Sequence, residues 1–209
     1  MANVLYIQTS PRGQRSKSNQ VADAFAAAYQ RHNPDDSIDK FNLFEIDLPT
    51  FGAAATAAKF KVPNKEPVTA EESAVWTEVE AIIERFKAAD KVILATPMWN
   101  FGIPYRLKQY LDIIIQPGYT FTVGENGYQG LVTGKPLAAI YARGGAYSEG
   151  TGAEAYDRQK PYVEQLFGFM GFTEMHSLVV EPTLHQGEDG ARKAVEAAIA
   201  QGEKLAKTF

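Results

Sequence analysis

Thr9, Ser10, Ser16 and Ser18 crowd four hydroxyls into one short stretch, with Arg12, Arg15 and Lys17 among them and Asn19 directly behind. Placed before a helix, such a stretch suits one phosphate group. A helix N-terminus offers free N–H donors and the positive end of the dipole, and hydroxyls add further donors. The same serines would serve equally as plain helix caps beside solvated cations. Neither the G-x-G-x-x-G fingerprint nor a P-loop is present, so a dinucleotide or triphosphate has no signature here. A second stretch runs Thr96-Pro97-Met98-Trp99-Asn100-Phe101-Gly102-Ile103-Pro104. It offers an amide, two flat apolar side chains and a proline-stiffened backbone, which fits either a ring-binding loop or a hydrophobic loop under the next helix. A third runs Tyr141-Ala142-Arg143-Gly144-Gly145-Ala146-Tyr147. Its paired glycines let backbone approach a flat ligand closely, or simply make a tight turn.

The elements around these stretches decide between the readings. Residues 3–8 are short, apolar and β-rich, as are 38–43, 91–96, 135–141 and 173–180. Such runs are expected of parallel strands buried on both faces. Helical spacing links Val21, Phe25, Ala28 and Tyr29, predicting a helix over 19–32 that Asn33-Pro34 ends. Thr69 and Glu72 form a capping-box pattern before Val75, Val79, Ile82, Ile83 and Phe86, predicting a helix over 70–89. Further stripes run from Leu107 to Ile115, Val163 to Met170 and Val195 to Leu205. Residues 44–68 read as an irregular excursion with room for one short helix, and 119–133 as a hairpin.

Strands alternating with amphipathic helices imply a parallel sheet covered on both faces. The expectation is a single α/β domain over 1–209, a three-layer sandwich with flavodoxin-like strand order 2-1-3-4-5. In that design the ligand lies at the carboxyl ends of strands 1, 3 and 4. The three stretches fall at those three places. A hydroxyl loop for one phosphate, an aromatic loop and a double glycine then point to FMN as the bound cofactor. Backbone donors along its ring edge would set its redox electronics.

Bulk properties narrow the class further. The net charge is −4, with 21 Lys+Arg against 25 Asp+Glu, which favours neither nucleic acid nor an anionic membrane surface. There is no cysteine, so disulfides, thiolate catalysis and Cys-ligated metals are excluded. A reducing cytoplasm fits that composition. No basic n-region opens the chain, and no apolar run approaches the ~20 residues that span a bilayer. His32, His176 and His185 lack metal-like spacing, so no metal site is expected and packing or surface roles are assigned.

The sequence resembles the FMN-dependent NAD(P)H azoreductases, which also reduce quinones. The landmarks are Ser10 with Ser16-Lys17-Ser18-Asn19-Gln20, Pro97 to Phe101, Leu107 to Asp112 and Thr120-Phe121. Glu125 to Gly127, Gly130 to Lys135, Arg143 to Gly145 and Phe167 to Gly171 complete them. The resemblance implies a homodimer with FMN at the interface and a ping-pong cycle in which NADH or NADPH donates a hydride and a quinone or azo compound then enters. It implies FMN binding by Ser10, Ser16, Lys17, Ser18, Pro97, Met98, Trp99, Asn100, Phe101, Ala142, Arg143, Gly144 and Gly145. It places Phe121 and Phe169 in the acceptor pocket, partly from the partner, and Tyr128 is added to that pocket as an aromatic affecting access. The flavin carries the chemistry, so no catalytic side chain is assigned. Trp99 stands where many members have Tyr, and Ala142 where Ser or Thr is common, which bears on acceptor preference. A one-electron flavodoxin-type carrier is the rival reading. The modest charge and the long 119–133 segment weigh against it.

Overall fold

The computed structural model describes residues 1–125 and 127–209. Five strands form one parallel sheet: β1 (Asn3–Gln8), β2 (Ser37–Asn42), β3 (Lys91–Pro97), β6 (Pro136–Ala142) and β7 (Glu174–Val180). A separate antiparallel pair, β4 (Phe121–Gly124) and β5 (Gly127–Gly130), accounts for the gap in numbering. The sheet order is β2-β1-β3-β6-β7. With the hairpin set aside, that is the expected 2-1-3-4-5 order.

Alternation along each strand splits the core into two layers. Leu5, Ile7, Val92, Leu94, Leu137 and Ala139 face one side. There they meet α3 (Ala70–Lys87), α4 (Tyr105–Ile114) and α5 (Lys160–Met170) through Val79, Ile83, Phe86, Leu107, Leu111, Val163 and Phe167. Val4, Tyr6, Ile93, Ala95, Ala138 and Ile140 face the other side. They meet α1 (Lys17–His32) and α6 (Gly187–Leu205) through Val21, Phe25, Tyr29, Val195 and Ala198. The excursion after β2 contains one short helix, α2 (Ala53–Lys61), which buries Ala55 and Ala58.

Two helices begin earlier than periodicity indicates, for local reasons. Helix α1 starts at Lys17 because the Ser16 side chain accepts from the Asn19 N–H as an N-cap. Helix α6 starts at Gly187, and its first turn carries Glu188 and Asp189. Acidic residues suit the positive end of the dipole but leave no apolar stripe to read. No helix among the described residues is long and apolar enough to cross a membrane.

Glycine decides how the hairpin docks. A Cβ on Gly130 would lie 2.3 Å from the Gly171 nitrogen, so only a bare backbone fits there. The Val132 N–H donates to the Met170 carbonyl beside it.

Thr69 is the N-cap of α3, accepting from the Glu72 N–H at 3.2 Å while the Glu72 carboxylate accepts from the Thr69 N–H at 2.8 Å. Thr69→Ala is expected to cost about 1 kcal/mol. For a chain of this length that lowers the thermal midpoint by roughly 2–4 °C, measurable by calorimetry.

Candidate functional site

Every strand of a parallel sheet points its carboxyl end the same way, so the loops after β1, β3, β6 and β7 emerge at one edge. Register aligns them: Gln8 pairs with Ala95, Pro97 with Ala142, and Ala142 with Val180. A cleft of about 140 Å³ lies between these loops. Ser10, Ser16 and Lys17 line it from the first loop, Pro97, Met98 and Trp99 from the second, and Ala142 and Gly144 from the third.

Ser10, Ser16 and Ser18 are buried, which is unusual for hydroxyls without a purpose there. Ser16 Oγ and Ser18 Oγ lie 3.0 Å apart, and the Asn42 side chain donates to the Ser10 carbonyl at 2.9 Å. The N–H groups of Lys17 and Ser18, in the first turn of α1, have no partner among the described residues. Hydroxyls, unfilled N–H donors and a dipole end therefore converge on one small volume, as a phosphate requires.

The second loop has an unusual backbone. Trp99 and Gly102 exchange reciprocal N–H···O=C bonds at 3.0 and 2.9 Å around two residues. Those residues, Asn100 and Phe101, both adopt positive φ, at 48° and 67°. Together these are the marks of a type I′ turn. Asn tolerates that region, but Phe does not, and each such residue costs about 1–3 kcal/mol that the surrounding structure must offset. Two anchors hold the turn. The Met98 N–H donates to the Ala142 carbonyl at 2.7 Å, and the Arg158 N–H donates to the Phe101 carbonyl at 2.9 Å. The turn leaves the Asn100 and Phe101 N–H groups without a partner among the described residues. Trp99 packs at 5.8 Å from the Phe44 ring and 6.2 Å from Tyr105, while Phe101 packs against Tyr147 and Tyr156.

The third loop presents the N–H groups of Gly144, Gly145 and Ala146, also without partners among the described residues. Gly144 cannot carry a Cβ without meeting Leu184 at 2.8 Å. Arg143 behaves differently from its neighbours. Its side chain is only 1% exposed and turns into the protein. The guanidinium pairs with Asp157 at 2.6 Å and Glu181 at 3.2 Å, and donates to Gln159 at 3.1 Å. From there the network spreads. Glu181 accepts from the Tyr147 and Ser148 N–H groups, Asp157 accepts from Gln159 and Lys160 at the start of α5, and the Gln159 amide donates to the Thr96 carbonyl. Arg143 thus fastens the β3 end, the β6 loop and the α5 start from beneath. Its side chain offers nothing to the cleft itself.

Sequence patterns did not single out the fourth loop. Thr183 and Leu184 line the cleft, and His185 approaches the space above Gly145 together with Tyr147. The signal was available: a βα loop after β7 must open at the same edge. Phe121, Tyr128 and Phe169 do come together, with ring centroids 4.7–6.0 Å apart. They form their own cluster on the hairpin and α5, and none of them lines the cleft.

A family model described as a flavodoxin-like fold matches residues 2–205. The FMN-dependent NADH:quinone oxidoreductase of Nitratidesulfovibrio vulgaris (strain DP4) is 51% identical over 209 residues, covering 100% of both chains. The chain belongs to the flavodoxin-like FMN-dependent NADH:quinone oxidoreductase family. Another member, from Desulfotalea psychrophila, is 44% identical over 185 residues, covering 88% of this chain and 87% of its own. Among solved structures, an azoreductase from Bacillus anthracis superposes with a TM-score of 0.93 at 31% identity, covering 100% of both chains. A B. anthracis FMN-dependent NADH-azoreductase in complex with FMN superposes with a TM-score of 0.88 at 26% identity, covering 99% of this chain and 100% of its own.

Removing one partner of a buried ion pair leaves uncompensated charge. Arg143→Met is expected to destabilise the fold by about 3–5 kcal/mol, read from the urea midpoint. Acid should weaken the same network. Burial alone would raise the Glu181 carboxyl, but hydrogen bonds from Ser148 and Tyr147 and the charge of Arg143 outweigh it and hold it below its ordinary value. Its contribution is therefore complete above the ordinary carboxylate range and fades as pH falls through the lowered value. Glu181→Gln should flatten that acidic arm of the stability profile.

Proposed function

We propose that this member of the family binds FMN in the cleft and catalyses NADH-dependent two-electron reduction of quinones and aromatic azo compounds. One observation carries the reading. Buried hydroxyls, first-turn N–H groups and two sets of unfilled backbone donors converge at the switch edge of the sheet, where this topology takes its ligand.

When bound, FMN supplies the hydride chemistry. The chain supplies binding and electrostatics. Ser10, Ser16 and Ser18, with the Lys17 and Ser18 N–H groups, hold the phosphate, and the Lys17 side chain adds charge. Pro97 and Met98 set the floor of the second loop. The Asn100 and Phe101 N–H groups, like those of Gly144 and Gly145, would be the donors available to the ring. Fixed donors of this kind stabilise negative charge without reorganising. Ala142 lets the backbone lie close, and Trp99 and Phe101 shield the ring from water. Arg143 contributes through the backbone it fastens. NADH is the preferred donor in this reading, in line with the named relatives.

The cleft is also incomplete. Sites that enclose ligands of this size occupy ~300–1,000 Å³, well above the 140 Å³ that one chain walls off. Tyr128 is 72% exposed, as part of an aromatic cluster with Phe121 and Phe169. A homodimer in which Phe121, Tyr128 and Phe169 of a second copy cover the ring meets both needs. The setting proposed is cytoplasmic. A one-electron carrier would need neither the aromatic cluster nor a nicotinamide donor. Sedimentation of the FMN-loaded protein should give twice the chain mass, and a monomer at working concentration would defeat the dimer.

Asp is as good an N-cap as Ser, so Ser16→Asp keeps α1 while placing a carboxylate against the phosphate. FMN affinity should fall at least ~100-fold, about 2.7 kcal/mol, in fluorescence titration. Wild-type protein should show steady NADH oxidation driven by benzoquinone. Protein that takes up no FMN, or holds it without bleaching on NADH addition, would sink the reading.

A further inference from the structure

A second concavity opens beside the phosphate end of the cleft. It is a groove of about 1010 Å³ between the Gly13–Arg15 turn, the start of α1 and the N-terminal half of α6. The two spaces share Arg12, Lys17, Thr183 and Leu184 in their walls, so the groove continues the cleft past the phosphate loop. The FMN phosphate, as placed above, would sit at the boundary between them.

The groove is positive in a negative protein. Arg12, Arg15, Lys17 and Arg192 line it against two carboxylates, Glu188 and Glu196, while the whole chain carries −4. Three of those cations are uncommitted: Arg12, Arg15 and Lys17 make no ion pair among the described residues. Uncommitted cations ringing one concavity raise the local concentration of an anionic ligand. The floor is apolar. Leu184 is 71% exposed there, above Ala191 and Val195, which are themselves buried. The far rim carries acceptors. Glu196 pairs with Arg192 at 3.0 Å, and Glu188 makes no ion pair among the described residues.

A cationic wall, an apolar floor and a carboxylate rim form an ordered set. It matches a ligand with phosphate at one end, a flat ring in the middle and hydroxyl or amino donors around it. We infer that the groove binds an adenosine 5′-phosphate group. This rests on the reading of the cleft as an FMN site. Arg12 and Arg15 take the phosphates, Leu184 carries the purine, and Glu188 accepts from ribose hydroxyls or the exocyclic amine. Two molecules carry that group to this place: the nicotinamide dinucleotide, through its adenylate half, and a flavin dinucleotide standing where FMN stands.

The probe is ADP added to FMN-loaded protein in calorimetry. One site per chain is expected, with flavin fluorescence showing that FMN stays bound. Arg15 lines the groove but not the cleft, and it sits on an exposed turn. Arg15→Glu should weaken ADP at least ~10-fold, and Arg15→Ala by a smaller factor, with ADP affinity falling further than FMN affinity in both. Competition of ADP against NADH, with a matching rise in KM for NADH and steady kcat in Arg15→Glu, assigns the group to the nicotinamide donor. Uptake of FAD by apoprotein with an Arg15-dependent affinity, without that competition, assigns it to a flavin dinucleotide. No ADP binding, binding indifferent to Arg15, or binding that expels FMN overturns the inference. Failure of FMN itself to bind defeats the cleft reading instead, since ADP binding and its Arg15 dependence remain measurable on the same chain.

Discussion

Parallel pairing is the constraint from which the rest follows. Because β1, β3, β6 and β7 run the same way, each must return through a crossover helix, and each must release its next loop at the same edge. Their staggered ends, at Gln8, Pro97, Ala142 and Val180, fix how far each loop stands from the others. Nothing in the loops themselves could bring Ser16, Trp99 and Gly144 to one cleft across more than a hundred residues. The two-sided core makes that register stiff, since a slip by one residue would exchange the α1–α6 layer for the α3–α4–α5 layer.

A register fixes where loops begin but not how they lie. That task falls to hydrogen bonds laid under the cleft. The Arg143 network ties the β6 loop to the start of α5 and, through Gln159, to Thr96 at the end of β3. The Met98–Ala142 and Arg158–Phe101 bonds then suspend the tight turn between those two anchors. Buried charge is an expensive fastening. An apolar replacement of the whole cluster would often be as stable. The guanidinium instead donates directionally to Asp157, Gln159 and Glu181 at once, and Gln159 and Glu181 pass the connection on to Thr96 and the Tyr147–Ser148 backbone, which no packed hydrocarbon can do.

Much of this was legible in the residues. Apolar runs located all five sheet strands, and the capping box of Thr69 and Glu72 located the start of α3 within a residue. Serines before a helix and glycines after a strand became meaningful through their place in the topology. Other features left no trace in periodicity. The first turn of α6 is polar, so its start at Gly187 was invisible. Thr183 and Leu184 follow an ordinary strand and carry no distinctive chemistry. Arg143 sits in a stretch whose paired glycines suggest a ligand, yet it turns its charge inward, because Asp157 and Glu181, distant in sequence, are folded beneath it. Long-range partners of that kind cannot be read from local pattern.

The Asn100–Phe101 turn has one more implication. Its left-handed residues are held in place by bonds already formed in the folded chain, so the loop has met its entropic cost before any ligand arrives. A loop of this kind behaves as a hard gauge. It cannot flatten or widen without giving up the Trp99–Gly102 bond pair. At this edge the chain therefore holds one shape rather than a range of them.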